Sequence, residues 1–456
     1  MSVGAGQSIA IIGGGASGVI LAANLVRAGA RGSITLIERT PDIGRGLAYG
    51  TDLPDHRLNV AANRMSGFPD DPLDFWRWHT SGQPHADGDA TVFLPRRDYA
   101  RYLDYVFQRA QAEADGIGRL RRIEAECRSI SHAGSGLELR LSNGTSLMAQ
   151  AAVLATGHDP QPVADRAYAV PPSDLPQIDR AARVTILGSG LSMIDTWLSL
   201  EARGHRGEIV AVSRRGLLPQ PHRPRHPIKL DPADIPLGTE LSYFVRWLSD
   251  LIEATDAAGG DWRDVIDGIR PYNQRIWRDW PTSAKRRFLE HAKAWWDVHR
   301  HRIAPDVYAR AQKAIDENRL VLLAGRVTSV HQDAEGMTTV SIRKRGQTDL
   351  VHLDCAAVID CTGIVKDPAA SANPLISSMI ASGLARPDPL RIGLDISANC
   401  QVIDAKGNAS NRILAVGPPT RGAFFEIDAI PEIREQCRRI AKQLSYSLAP
   451  EVRRRG

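Results

Sequence analysis

The stretch Ile9-Ala10-Ile11-Ile12-Gly13-Gly14-Gly15-Ala16-Ser17-Gly18 decides how the chain is read. Four apolar residues, suited to a strand buried on both faces, run into Gly13-x-Gly15-x-x-Gly18. A helical pattern follows through Val19, Leu21, Ala22, Leu25 and Val26, and Gly29 stands where such a helix stops. Gly13 allows the tight strand-to-helix turn, Gly15 lets the backbone approach a pyrophosphate, and Gly18 lets the helix press onto the strand. The helix N-terminus adds free N–H groups and a partial positive charge for the phosphates. A second strand, Ile34-Thr35-Leu36-Ile37, ends in Glu38, where an acid accepts hydrogen bonds from an adenosine ribose. Glycines alone are a weak signal, but strand, glycines, helix, strand and acid in register are a strong one. A signal peptide would need a basic segment before its apolar core. A membrane span would not carry three consecutive glycines at its centre.

The bulk composition narrows the class. A chain of 456 residues, 43% hydrophobic and 24% charged, is that of a soluble protein with two or three domains. The net charge of +5 is mild and suits anionic cofactors and substrates. Arg453-Arg454-Arg455 is short and terminal, which argues against a nucleic-acid partner. The five cysteines, Cys127, Cys355, Cys361, Cys400 and Cys437, form no C-x-x-C pair. That predicts a reduced, cytoplasmic setting without a metal site, and removes the dithiol of a disulfide reductase. No later segment is apolar for the length of a membrane span.

The chain then repeats itself. After a glycine- and proline-punctuated loop region come helices beginning near Phe75, Trp76 and Trp78, whose aromatics suit core packing, and near Pro95. Short strands follow from Arg119, with a turn at Asn143-Gly144 and a buried strand from Ala151 ending in Thr156-Gly157. Val184 to Met193 is a second strand, glycine turn and helix, and Glu208 to Ser213 its second strand. Leu320–Leu323, a short strand hairpin, and Ala357 to Thr362-Gly363 repeat the meander and its ending. Two copies of one layout predict an α/β protein with two Rossmann-like dinucleotide-binding domains. Two dinucleotides in one enzyme most simply mean FAD plus NAD(P)H, held so that a hydride can cross. The expected division is 1–165 with 364–456 for FAD, 166–216 with 319–363 for NAD(P), and a helical insertion over 217–318.

The second motif keeps Gly188 and Gly190 but has Met193 at the third glycine position. That fits a wider helix–strand separation and an exchangeable nicotinamide site, or a decayed motif. Its second strand ends in Ser213-Arg214-Arg215 instead of an acid, so a 2′-phosphate should be tolerated and NADPH slightly favoured over NADH. The alternative is a solvated basic turn. The insertion opens with a stiff basic loop, Leu217 to Pro227, and holds six of the nine tryptophans. It reads either as a helical cap stabilised by surface charge, or as a lid that closes over the flavin and brings cations to an anionic substrate. Ile413 to Gly417 returns to the first domain, and Pro431 suits the first turn of a final helix. Pro418 follows where many flavoproteins have an acid, so the usual ribityl contact must come from elsewhere.

The run Ile11 to Gly18, the segment Asp42 to Tyr49, Leu58-Asn59-Val60 with Arg64-Met65-Ser66, and the ending Ala429 to Gln436 resemble the bacterial FAD/NAD(P)-binding oxidoreductases. That group includes FAD-dependent urate hydroxylases and nitrosuccinate-forming L-aspartate N-monooxygenases, and the resemblance covers nearly the whole chain. It implies a monooxygenase in which NAD(P)H reduces FAD, and a flavin C4a-hydroperoxide made with O₂ hydroxylates a small anionic nitrogen-containing metabolite, urate-like or an acidic amino acid. By the resemblance Gly13, Gly15, Ser17, Gly18 and Glu38 hold the FAD adenosine diphosphate, and Asn59 and Met65 lie near the flavin ring. Gly188, Gly190, Arg214 and Arg215 hold NAD(P). Ala16, Arg39, Gly46, Thr156, Gly157, Ser192, Thr362, Gly363 and Gly417 complete the cofactor candidates. Arg96, His222, Arg300 and His301 are the substrate candidates, and no residue demands the role of catalytic base. The alternatives are an NAD(P)H-dependent flavin reductase or dehydrogenase without oxygen transfer, and a non-catalytic nucleotide sensor.

Overall fold

The structure is a computed structural model that describes residues 8–30, 32–81, 88–115, 119–159, 169–224, 226–334, 336–363 and 367–447. The chain divides into two compact units. Unit 1 comprises 1–54, 60–159 and 365–456, and unit 2 comprises 55–59 and 160–364.

In chain order, β1 (Ser8–Ile12), α1 (Ala16–Arg27), β2 (Ser33–Glu38), α2 (Gly46–Tyr49), α3 (Asp74–Thr80) and α4 (Arg96–Asp115) open unit 1. β3 (Leu120–Glu124), β4 (Cys127–Ala133), β5 (Gly136–Leu141), β6 (Ser146–Ala149) and β7 (Ala151–Leu154) follow. Unit 2 holds β8 (Ala169–Val170), β9 (Val184–Leu187), α5 (Leu191–Ala202) and β10 (Ile209–Ser213). Its helical insertion is α6 (Leu241–Ala257), α7 (Trp262–Ile269), α8 (Asn273–Asp279), α9 (Thr282–Arg287), α10 (Lys293–Arg300) and α11 (Pro305–Asp316). β11 (Leu320–Gln332), β12 (Thr338–Lys344), β13 (Leu350–Cys355) and β14 (Ala357–Asp360) close it. The chain returns to unit 1 through α12 (Pro374–Ala381), β15 (Gln401–Ile403), β16 (Ala409–Ala415) and α13 (Ile430–Ser447).

Unit 1 is built on a six-stranded sheet of order β15-β16-β7-β1-β2-β3, parallel except for the edge strand β15. Its central strands are apolar because both faces are covered: Ile9, Ala10 and Ile11 of β1 and all of β7 are buried. α1 is buried along Val19 to Leu25 and packs against both α4 and α13. Unit 2 repeats the arrangement in a seven-stranded sheet, β13-β12-β11-β10-β9-β14-β8. The order β3-β2-β1-β7 in one unit matches β11-β10-β9-β14 in the other, so the repeat in sequence is a repeat in topology.

The two copies differ at the meander. In unit 1, Ala125-Glu126 separate β3 from β4, and β4-β5-β6 form a sheet of their own. In unit 2 the short strand expected at Leu320–Leu323 runs on to Gln332, pairing parallel with β10 first and antiparallel with β12 afterwards. Gly325 stands at the changeover. A Cβ there would lie 2.8 Å from the Ile342 side chain and 2.9 Å from the Arg343 carbonyl oxygen, so its absence lets β11 pass without a break.

Residues 55–59 fall in unit 2 rather than with the first domain where the sequence division put them. His56 Nε2 lies 2.9 Å from the Asp195 carbonyl oxygen, and Asp55 pairs with Arg310 at 3.1 Å. The insertion belongs to unit 2 as well. Its core is aromatic: Phe244 meets Trp280 edge-on at 5.1 Å, and Phe288 packs on Trp280 at 5.5 Å and Trp277 at 6.2 Å. In unit 1, Phe75 is buried and packs against Tyr99 and Tyr102.

Candidate functional site: two glycine cradles

The carboxyl ends of the parallel strands carry the same construction in both units. Gly13 N–H donates to the Ile37 carbonyl at 2.8 Å, and Gly188 N–H to the Val212 carbonyl at 2.7 Å. Their φ angles are 108° and 106°. A Cβ on Gly13 would meet the Ala155 oxygen at 2.3 Å, and one on Gly188 the Cys361 oxygen at 2.5 Å. Each first glycine is therefore pressed onto the residue just before a Thr-Gly pair, Thr156-Gly157 or Thr362-Gly363. A side chain would close this approach, which is why the turn needs glycine.

The other cradle glycines face open space. Gly157, Gly190 and Gly363 have no atom within 4 Å of an added Cβ, and Gly15 has only the Gly46 Cα at 3.7 Å. Backbone crowded on one side and bare on the other, at a helix N-terminus, fits the pyrophosphate of a dinucleotide. The third positions differ. A Cβ on Gly18 would stand 1.9 Å from the Gly13 oxygen, whereas buried Met193 carries its side chain at the corresponding place in α5. Ala16 and Ser17 open α1, and exposed Ser192 lies in the first turn of α5.

Glu38 closes the first cradle. Its Oε2 accepts from Gly14 N–H at 2.6 Å and its Oε1 from Thr40 N–H at 3.0 Å, so the carboxylate is oriented by the loop it faces. Arg39 is exposed, 3.9 Å from Glu126. Met65 is buried in unit 1, while Asn59 lies in unit 2 with its carbonyl oxygen 3.0 Å from His222 Nε2. At the end of β10, Arg214 is exposed, with no hydrogen bond or ion pair to a described side chain. Arg215 is engaged by the insertion: Nη2 donates to the His291 carbonyl at 2.8 Å and the guanidinium stacks on Trp295.

The substrate candidates divide between the units. Arg96, half-buried, opens α4 in unit 1, and its charge bears on the half-buried Tyr49. His222, Arg300 and His301 belong to unit 2, where the basic loop is stitched to the end of α10. There Gln220 N–H donates to Val298 at 2.9 Å and His222 N–H to Ile303 at 3.0 Å. Arg300 is buried rather than displayed, and Arg302 is buried against Asp267 at 2.5 Å. Arg263 Nε also braces the loop through the Pro221 carbonyl, and the guanidinium lies 4.1 Å from the Trp262 ring centroid.

Sequence reasoning singled out Gly417 at the β16–α13 junction but missed the groups around it. Gly417, with φ 72°, donates its N–H at 2.7 Å to Oε1 of Gln436, a fully buried side chain of α13. A Cβ on Gly417 would lie 2.5 Å from Ser17 Oγ, so this loop is pressed onto the start of α1. A glutamine inside an apolar helical stripe was the available signal. His158, Arg421 and Asp428 were missed too, because each looks like an ordinary loop residue in one dimension. An open cleft of about 1000 Å³, lined among others by Asp71, Arg77, Trp78 and Arg109, contains none of the cradle glycines. Among the described residues no cluster of three metal-binding side chains occurs, and no helix is long and apolar enough to cross a membrane.

These cradles and sheets define an FAD/NAD(P)-binding α/β fold, one that flavin monooxygenases and thioredoxin reductases both have. The protein family described as FAD-NAD(P)-binding matches residues 10–159. No curated protein matches the sequence significantly. Among solved structures, the ornithine N-hydroxylase of Kutzneria sp. 744, seen with reduced FAD, NADP⁺ and L-ornithine, superposes with a TM-score of 0.66 at 14% identity, over 97% of this chain and 99% of that one. The ornithine hydroxylase of Pseudomonas aeruginosa gives 0.64 at 15% identity, over 97% and 99%. L-lysine 6-monooxygenase from Pseudomonas syringae gives 0.64 at 18% identity, over 98% and 100%.

Proposed function

We propose that the chain is an FAD-dependent, NAD(P)H-consuming monooxygenase that hydroxylates a small nitrogen-containing metabolite. The observation that carries this reading is the doubled cradle, in which both units present the same crowded first glycine and bare neighbouring glycines. One dinucleotide site would serve a binding protein, but a second one calls for electron supply. Bound FAD would supply two-electron transfer and activation of O₂. The chain's own part is to hold and orient. The first turn of α1 and Gly13 to Gly18 take the FAD pyrophosphate, and Glu38, already oriented by Gly14, takes ribose hydroxyls. Gly188, Gly190 and Ser192 take the NAD(P) pyrophosphate. Exposed Arg214, at the end of β10, would meet a 2′-phosphate, and this supports NADPH as the donor. Its neighbour Arg215 has a structural attachment in addition.

The nitrogen in the substrate is supported by the solved relatives, which act on ornithine and lysine. An anionic character, urate-like or an acidic amino acid, is supported by half-buried Arg96 in unit 1. A reductase without oxygen transfer is the second reading. Its dithiol form is disfavoured because all five cysteines are buried and no two of them form a C-x-x-C pair. The test is to purify the protein, record its flavin spectrum and reduce it anaerobically with NADPH and with NADH. Oxygen uptake and product mass are then followed with urate, aspartate, ornithine and lysine. A hydroxylated product is expected. Substrate-stimulated oxygen uptake that yields only hydrogen peroxide would support the reductase, and a protein that takes up no FAD refutes both.

A further inference from the structure

Every tryptophan of the insertion but one packs on another ring. Trp247 meets Phe244 at 5.6 Å, Trp262 meets His299 at 4.6 Å, and Trp296 meets Phe288 at 6.4 Å. Trp277 and Trp280 meet each other and Phe288. Trp295 is the exception. It stands in the first turn of α10, is 44% exposed, and meets no other aromatic ring among the described residues. What lies over its ring is the guanidinium of Arg215, 5.6 Å from the centroid.

Arg215 is held on one edge and open on the others. Its Nη2 donates to the His291 carbonyl at 2.8 Å, while Nε and Nη1 have no hydrogen-bond partner among the described residues. His291 belongs to a π-helical turn, Phe288–Ala292, a wide turn of the kind that recurs at functional sites. The backbone beneath the arginines is fixed as well. Ser213 Oγ accepts from Gly216 N–H at 2.9 Å, and Ser189 Oγ donates to the Leu217 carbonyl at 2.7 Å. α10 runs beside the chain that leaves β10, since Gln220 N–H donates to the Val298 carbonyl. The exposed indole and the half-buried guanidinium are thus brought together at the carboxyl end of β10, beside exposed Arg214. That strand end is where a Rossmann-like fold receives the adenosine of its dinucleotide.

We propose that Arg215 and Trp295 form the platform on which the adenine of NAD(P)H stacks, so that the insertion supplies part of the nucleotide site. The proposal rests on the NAD(P)H-consuming reading above. A guanidinium is planar and weakly hydrated, and it stacks on flat rings while its edge stays hydrogen-bonded. Trp295 backs its plane and the His291 carbonyl fixes its rotation. The two arginines then divide the adenosine: Arg215 serves the base, which NADP⁺ and NAD⁺ share, and Arg214 serves the 2′-phosphate, which only NADP⁺ carries.

The experiment uses the full chain loaded with FAD. Dissociation constants for NADP⁺, NAD⁺ and 2′,5′-ADP are measured by calorimetric titration on the wild type, Trp295→Ala, Trp295→Phe and Arg214→Ala. Trp295→Ala is expected to weaken all three ligands by a similar factor, roughly tenfold to a hundredfold, as loss of a stacking ring does. Trp295→Phe, which keeps a flat ring, should restore most of that loss. Arg214→Ala should weaken NADP⁺ and 2′,5′-ADP far more than NAD⁺. The half-saturating NADPH concentration for flavin reduction should rise in Trp295→Ala by the same factor as the dissociation constant. Tryptophan emission should fall when 2′,5′-ADP is added to the wild type, and fall less in Trp295→Phe. Unchanged affinities in Trp295→Ala, or a loss confined to the ligands that carry the 2′-phosphate, would overturn the proposal. A changed oligomeric state at unchanged affinity would overturn it too, and would mark the exposed ring as a contact between copies. Nucleotide binding and flavin reduction by the wild type are read on the same samples. Their failure would sink the function proposed above together with this inference, whereas their success beside an unaltered Trp295→Ala would sink only the platform.

Discussion

Gly18 and Gly190 show how differently two glycines of one motif can be constrained. An alanine at Gly18 must push its methyl group into the Gly13 carbonyl, 1.9 Å away. Gly190, at φ −88° with open space around it, accepts an alanine without strain. Gly18→Ala is therefore expected to cost about 2–3 kcal/mol and to weaken FAD binding, read by thermal unfolding and flavin fluorescence. Gly190→Ala should stay within about 0.5 kcal/mol in stability yet lose affinity for NADP⁺ in calorimetric titration. Equal destabilisation by both changes would contradict the contrast drawn between crowded and bare glycines. The arginines of β10 separate in the same way. Removing Arg214 should reduce the preference for NADPH over NADH by roughly tenfold to a hundredfold, with stability unchanged. Removing Arg215 should also loosen the insertion, since its guanidinium holds the His291 carbonyl. Steady-state kinetics with both nucleotides, beside melting curves, would tell the two roles apart.

At the scale of elements, the insertion encloses paired charges beside its aromatic core. Arg302 and Asp267 are 1% and 3% exposed as a pair, and Arg263 is nearly as enclosed. Breaking such a pair leaves a lone buried charge, so Arg302→Ala is expected to cost roughly 3–5 kcal/mol, and Arg302→Met less. Limited proteolysis should then cut within residues 217–303 before any other described part of unit 2, and an undiminished resistance there would argue against the bracing role. Arg300 and His301, next to Arg302, drew attention in the sequence as candidate cations for the substrate. Distance along the chain hid the partner, because nothing in a linear pattern couples Asp267 to Arg302. The strands were easier to see. β1, β7 and β9 are short, mostly apolar runs that lead into a glycine within three residues, and burial on both faces leaves such a run little alternative. β11 was read too short because its second half is half-exposed and its changeover residue, Gly325, resembles a strand end.

For the whole molecule, the doubling was legible because two glycine turns and two Thr-Gly endings recur in one order. What the sequence could not disclose is what folding assembles from distant segments. Residues 55–59 join unit 2 through His56 and Asp55, and His158 meets Asp428 only after β16 and α13 have returned to the first sheet. The two-unit division makes a thermodynamic prediction. A ligand that binds only folded protein stabilises by about 2.7 kcal/mol at a hundredfold excess over its dissociation constant. In scanning calorimetry FAD should raise the transition of unit 1 and NADP⁺ that of unit 2. A single transition that responds to neither nucleotide would speak against the assignment of the cradles.

Because β16 pairs beside β7, the first unit cannot finish until residues 409–415 have left the ribosome. At ordinary rates of synthesis, β7 must wait on the order of tens of seconds with one edge unpaired. A fully apolar strand left open for that long invites pairing with the wrong neighbour. Chains that stall before Ala409 should therefore collect as insoluble nascent fragments, whereas those that pass Ser447 should escape, and the timing of translation becomes part of how this protein reaches its native state.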